Sequence, residues 1–385
     1  MRAKADLMEN RHCYHGGLIF EQGVLYDNKV ACFEKGVLTS LTDRIDPDVP
    51  SVDLKGDILC LGYADLQVNG GDGILLGDLP TVEGLTRIAT AHRSLGATLI
   101  LPTLITDTPK ITKAVIHAAI DAVRLGVPGV AGLHLEGPHL SIARKGAHDP
   151  DLIRKMSADD LQMLIEAARH LPVLKVTVAP ENVTTQQVRD LADAGVLVSL
   201  GHTDADFDTT LAYIEAGARC VTHLFNAMSP LTSRAPGVVG AALSSGAVCA
   251  GVIADGIHVH PHSLGAAWRA KQGPGSLFLV SDAMAVAGSS ATKFSLGQRE
   301  IHRHKGRLTL IDGTLAGADL DLTTALRVVT QEVGVPLATA LSAVIETPRR
   351  LIKQPISMLG QNIKSFNRLR PDLTRCDALT SSHAT

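Results

Sequence analysis

The chain has 385 residues and a formal charge of −3, which argues against a nucleic-acid or polyanion binder, since these carry a basic surplus. Apolar residues at 45% and charged residues at 19% support a large core and exclude extended disorder, while aromatics at 3% leave little for stacking platforms or sugar cages. No apolar run approaches the ~20 residues of a membrane span, and the charged stretch 1–15 lacks an apolar signal core, so a cytoplasmic protein without membrane contact is expected. The cysteines Cys13, Cys32, Cys60, Cys220, Cys249 and Cys376 are scattered with no Cys-x-x-Cys. That predicts a reducing compartment, with neither a disulfide framework nor a cysteine-based metal site. The 16 histidines exceed what packing needs, so their placement becomes the question.

In chain order, residues 1–57 read as part of a small β layer, with short strand candidates at 17–20, 24–25, 30–33 and 37–41. Residues 58–350 alternate in type. Apolar runs at 58–68, 98–104, 132–136, 174–179, 196–201, 220–224, 249–254 and 277–282 read as strands buried on both faces. Segments 82–95, 109–125, 158–170, 185–194, 206–216 and 262–271 between them carry helical spacing. The stretch between the sixth and seventh strands is the least regular. This alternation predicts an α/β fold, either a closed parallel barrel or an open doubly wound sheet. Helices are expected over 320–332, capped by Asp319 or Asp321, and over 336–347. Residues 351–385 are atypical, and within them 356–385 is polar, basic in the middle and weakly periodic. There is no Rossmann glycine motif after the first strand, no phosphate-binding G-x-x-x-x-G-K, no G-x-S-x-G and no H-E-x-x-H.

The ends of the strands hold the chemistry. The third ends in Glu136, the fifth in His202, the sixth in His223 and the eighth in Asp282. A barrel places its active site at the C-terminal ends of its strands. One such residue at a strand end is most often structural or merely exposed, but four in one barrel are hard to dismiss. Glu136, His202 and His223 supply a carboxylate and two imidazoles, a three-donor set for a divalent metal with a position left for water. Asp282 is placed to take that water's proton and return it.

The motifs Asp65-Leu66-Gln67-Val68-Asn69-Gly70, Gly132-Leu133-His134-Leu135-Glu136-Gly137-Pro138 and Lys145-Gly146-Ala147-His148 follow one another along the chain. They are joined by Gly201-His202-Thr203, Thr222-His223-Leu224-Phe225-Asn226-Ala227-Met228, Asp255-Gly256-Ile257-His258, Ser281-Asp282-Ala283 and Thr314-Leu315-Ala316-Gly317. In this order they resemble the N-acetylglucosamine-6-phosphate deacetylase family of the amidohydrolase superfamily. The resemblance implies a distorted (β/α)8 TIM barrel with a small β-sandwich domain formed by the chain termini. It implies hydrolysis of the N-acetyl group of N-acetylglucosamine 6-phosphate to glucosamine 6-phosphate and acetate, by a homodimer. Carried over by position, Glu136, His202 and His223 are the metal ligands, Asp282 is the catalytic acid and base, and His148 polarises the acetamide carbonyl. Ala147, Asn226, Ala227, Leu315, Ala316, Gly317 and Ala318 contact the sugar. Arg234 and His258 bind the phosphate, one or both across the dimer interface. A related amino-sugar phosphate, or a degenerate copy that only binds sugar phosphates, are the competing readings.

Two departures from the family pattern stand out. Many amidohydrolases carry His-x-His at the end of the first strand to bind a second metal, whereas this chain has Gln67 and Asn69. Neutral amides are weak ligands, so one divalent ion per subunit is expected, with Zn²⁺ favoured over Fe²⁺, Co²⁺ or Mn²⁺, and with the two amides lining the pocket behind it. The family's closing strands are also barely traceable in 359–373, and Pro371 falls where a strand donor belongs. An incomplete C-terminal part of the β-sandwich is therefore expected.

Overall fold

The apolar run over 58–68 serves two sheets. In the computed structural model, which describes residues 11–379, the chain breaks at Gly62. Ile58–Leu61 pairs with Leu18–Glu21 and Phe366–Leu369, and Tyr63–Val68 begins the barrel as β1. A Cβ at position 62 would stand 2.7 Å from the Thr98 Cβ, so only glycine lets the neighbouring barrel strand come this close. The Gly62 N–H donates to Ser365 O at 2.7 Å, and the buried Arg349 guanidinium donates to Gly62 O at 3.0 Å. Both contacts pin the chain where it crosses from one layer to the other.

The barrel continues with β2 (Ala97–Ile105), β3 (Leu133–Glu136), β4 (Leu174–Val178), β5 (Leu197–Leu200), β6 (Cys220–Val221), β7 (Cys249–Val252) and β8 (Leu277–Leu279). These eight strands pair in sequence order, every neighbour parallel. The ring closes beyond β8, where Asp282 N donates to Gln67 O (3.1 Å) and Asn69 N donates to Ala283 O (2.9 Å). The architecture is a distorted (β/α)8 barrel with additional β-sheets, and the open-sheet alternative is ruled out. The helices start where the sequence placed them because their caps are local. Thr81, Thr108, Ser157, Thr184, Asp206 and Asp321 each accept a backbone N–H of the first turn, each worth ~1 kcal/mol.

Several segments differ from the sequence reading. Arg11–His15 and Ser51–Asp53 are strands, joining Val30–Glu34 and Val37–Thr42 in one sheet. The tail contributes a hairpin, Phe366–Leu369 with Cys376–Ala378, to the second sheet. Pro371 falls in the turn between these strands, where no ladder donor is needed. The two sheets meet at Phe33 and Phe366, whose ring centroids are 5.1 Å apart. A four-stranded ribbon, Lys293–Leu296, Arg299–His304, Arg307–Thr309 and Leu315–Ala318, follows β8 where no strands were expected. Its polar outward positions dilute the apolar signal: Phe294 and Ile301 alternate with exposed residues. The irregular stretch after β6 holds the helix Gly237–Ser244.

The cysteine expectation needs correction. Antiparallel pairing places Cys13 directly opposite Cys32, and the two form a disulfide. Nineteen residues of sequence separation hid a contact that strand register creates. The other four cysteines are free. Among the described residues no helix is long and apolar enough to cross a membrane.

Candidate active site and metal centre

The strands β3, β5 and β6 and the closing segment after β8 deliver their polar ends to one cavity of about 290 Å³. Beyond the last ladder bond the backbone turns sharply. His202, His223 and Asp282 all have positive φ, at 48°, 28° and 52°. Non-glycine residues rarely adopt this region, and three such residues facing one cavity mark strain held in place by the barrel around them.

The Nε2 atoms of His202 and His223 lie 3.0 Å apart, and each approaches Glu136 Oε1, at 3.3 and 3.1 Å. Donors ~2.0–2.1 Å from one tetrahedral ion would themselves be ~3.3 Å apart. The Nδ1 of His202 donates to Arg144 O at 2.8 Å, which leaves its Nε2 as a lone pair aimed at the cluster. Two imidazole nitrogens and a carboxylate oxygen converge at the spacing of metal ligands, so the donor set suits a divalent metal. His148 belongs to the same neighbourhood, with donor atoms of Glu136, His148 and His202 all within 4.8 Å of one another.

The electrostatics follow from burial and pairing. Burial alone would raise the Glu136 carboxyl, but contacts with His202 and His223 outweigh it and hold it well below the usual range. Burial opposes the His223 imidazolium, yet the same carboxylate keeps its pKa above the ordinary value. Burial and then the Glu136 charge raise Asp282. Burial pushes the His148 imidazole down to about 3, so it stays neutral.

Gln67 and Asn69 act on the carboxylates. Gln67 Nε2 donates to Glu136 Oε1 and to Asp282 Oδ1, both at 3.0 Å, and Asn69 Nδ2 donates to Asp282 Oδ1 at 2.7 Å. With both amides on one oxygen, Asp282 Oδ2 accepts no hydrogen bond from the described residues, and Asp282 lines the cavity.

The remaining candidates divide. Ala147, Asn226, Ala227, His258, Leu315, Ala316 and Gly317 line the same cavity. Ala318 turns into the core instead, only 1% exposed, and donates its N–H to Asp282 O. His258 Nδ1 lies 2.6 Å from Asp255 Oδ2, which orients its ring. Arg234 stays outside. It is exposed on the loop before Gly237–Ser244 and lines a separate groove with Asp204, Asp206 and Asp208. Sequence reasoning missed Ile105, Ile253, Met284, Leu296 and Thr314, which complete the wall. Met284 and Leu296 carry no chemical signature and depend on the unrecognised ribbon. Ile105 ends β2, so a search of every strand end would have found it.

No family model matches the chain. Individual proteins do. The chain is 40% identical over 344 residues, 88% of its own length and 86% of the relative's, to an N-acetylgalactosamine-6-phosphate deacetylase of Shewanella sp. (strain ANA-3). It is 33% identical over 312 residues, 80% of its length and 81% of the relative's, to an N-acetylglucosamine-6-phosphate deacetylase of Haemophilus influenzae. The crystal structure of N-acetylglucosamine-6-phosphate deacetylase from Pasteurella multocida matches with a TM-score of 0.88 at 29% identity, covering 94% of this chain and 96% of that one. A mutant of the Mycobacterium smegmatis enzyme in complex with N-acetyl-D-glucosamine-6-phosphate matches with a TM-score of 0.86 at 27% identity, over 94% and 96% of the two chains.

Proposed function

The chain belongs to the family of N-acetylglucosamine- and N-acetylgalactosamine-6-phosphate deacetylases, and from that premise we propose that it hydrolyses the N-acetyl group of N-acetyl-D-glucosamine 6-phosphate to D-glucosamine 6-phosphate and acetate. The observation that carries the reading is the convergence of Glu136, His202 and His223 within 3.0–3.3 Å, in one cavity with Asp282 and His148. The identity to a galactosamine-phosphate deacetylase favours a second reading, in which the C4 epimer is the better substrate.

Glu136, His202 and His223 would hold one divalent ion, with Zn²⁺ the first choice and Fe²⁺, Co²⁺ or Mn²⁺ compatible with the same donors. Such an ion would bring the pKa of a bound water toward neutrality and draw electron density from an amide carbonyl. The amide nitrogens of Gln67 and Asn69 donate to Glu136 and Asp282 and hold those carboxylates in place, while their oxygens are buried without a hydrogen-bond partner. Neutral amide oxygens are weak ligands for a borderline ion, which supports a single-metal centre.

Asp282 accepts the water's proton on its free Oδ2 and delivers it to the amide nitrogen, which would otherwise leave as a very poor anion. His148, neutral and buried, donates to the carbonyl oxygen as it gains charge. Asn226, Ala227 and the segment Leu315–Gly317 bound the sugar. His258 contacts the phosphate from within the protomer. Arg234, exposed and outside its own cavity, supplies a bidentate contact to the phosphate in the partner's site, so the working unit is a homodimer.

Comparing kcat/KM for the 6-phosphates of both N-acetyl hexosamines tests the substrate. A clear preference for the gluco epimer is expected, and a galacto preference selects the second reading. The shared site has its own test. Arg234→Ala and Asp282→Asn are each expected to be inactive, but mixed and allowed to exchange subunits they regain about a quarter of the wild-type sites. No recovery on mixing would place Arg234 outside the partner's site.

A further inference from the structure

We propose that Thr106 is the positioning residue that fixes His148 as its Nε2–H tautomer, so that His148 offers a proton to the substrate carbonyl and not a lone pair to the metal. The identity of that carbonyl rests on the deacetylase reading; the tautomer rests on the geometry alone.

Two groups of Thr106 face one nitrogen. The backbone N–H of Thr106 is 3.3 Å from His148 Nδ1, and the Thr106 hydroxyl is 2.8 Å from the same atom. A backbone N–H can only donate, so it favours an unprotonated Nδ1, but at 3.3 Å its bond is too long to fix the ring without the hydroxyl. The hydroxyl then donates to Nδ1 as well. Thr106 Oγ1 also lies 3.3 Å from Glu136 O, but one proton cannot serve both acceptors, and the shorter contact takes it. In a neutral ring the proton is left on Nε2, the remaining nitrogen.

His202 shows the opposite assignment. Its Nδ1 faces a carbonyl, Arg144 O, and must donate, so its Nε2 carries the lone pair. The two imidazole rings are 4.4 Å apart at their centroids, and His148 lies near enough to Glu136 and His202 to act as a ligand. Their partners sort them: a carbonyl makes one a ligand, and the N–H and O–H of Thr106 make the other a donor.

Gly137 provides the room. A Cβ there would stand 2.2 Å from Thr106 Oγ1, and its φ of 93° lies where side chains are disfavoured. The Glu136-Gly137 pair therefore supplies a metal-site carboxylate and the space for the threonine behind His148. Thr106 follows directly on β2 and gives that strand end a task at the site.

Thr106→Val removes the hydroxyl at nearly constant volume, and Thr106→Ser restores it. The first readout is the nitrogen-15 spectrum of His148 in metal-free protein, assigned with His148→Gln. Wild type and Thr106→Ser are expected to show the Nε2–H pattern, and Thr106→Val a mixture with Nδ1–H. The second is kinetic, on the metal-loaded enzyme. Thr106→Val is expected to lose about 10–100-fold in kcat with KM little changed, and Thr106→Ser to recover most of it. A wild-type His148 that carries its proton on Nδ1 overturns the proposal. So does a Thr106→Val enzyme with unaltered spectrum and kcat, or a Thr106→Ser enzyme as slow as Thr106→Val. If the protein deacetylates neither sugar phosphate, the spectra still decide the tautomer, and the failure belongs to the proposed function.

Discussion

Asp282→Asn is expected to lower kcat by about 10²–10⁴-fold while leaving the fold intact. The carboxylate is the one group near the Glu136–His202–His223 cluster that has an oxygen free for a proton, because Gln67 and Asn69 both bind its Oδ1. Asparagine keeps an oxygen for those amides but cannot take a proton from water or return it to the leaving nitrogen. Burial and the Glu136 charge raise the Asp282 pKa in the folded protein, so ionising it above the unfolded value weakens the fold. A neutral amide removes that penalty, and the melting temperature of the metal-free variant should equal or exceed that of wild type. Steady-state kinetics and a thermal melt check both halves. A variant with wild-type kcat would remove Asp282 from the reaction.

The second large effect concerns the metal. Glu136→Gln is expected to abolish activity and to abolish the stabilisation that a divalent ion gives the wild type. An ion bound only by the folded state adds ~2.7 kcal/mol at a hundredfold excess over Kd, a rise of several degrees in Tm. Uptake should depend on pH. The Glu136 carboxylate keeps His223 protonated to a higher pH than an ordinary histidine, and that proton occupies the nitrogen the metal requires. Affinity should therefore fall as pH drops through the raised His223 value, with proton release on binding near it. Calorimetry in buffers of different ionisation enthalpy measures that release. Equal Tm gains for wild type and Glu136→Gln would move the metal away from this cluster.

The sequence made these residues visible because barrel geometry confines chemistry to strand ends, where a polar residue closing an apolar run stands out. Glu136, His202, His223 and Asp282 each did so, and the structure gathers them. What stayed hidden was non-local or apolar. The Cys13–Cys32 bridge depends on register between two strands. Gly62 looked like part of a strand because its role is defined by Thr98, 36 positions away by numbering, and not by its neighbours in sequence. The ribbon that brings Leu315–Gly317 to the cavity has short, half-exposed strands, and periodicity is a weak signal there. Thr106 escaped notice for a different reason. A threonine just beyond an apolar strand has no distinctive chemistry until its hydroxyl is seen against His148.

Release of amine and acetate from N-acetyl-D-glucosamine 6-phosphate, followed before and after a chelator and again after a divalent metal is restored, decides whether the chain is a metal-dependent deacetylase. Equimolar products that vanish with the chelator and return with the metal are expected. Hydrolysis that persists in fully metal-free protein, or no products from either hexosamine phosphate with metal restored, would contradict it.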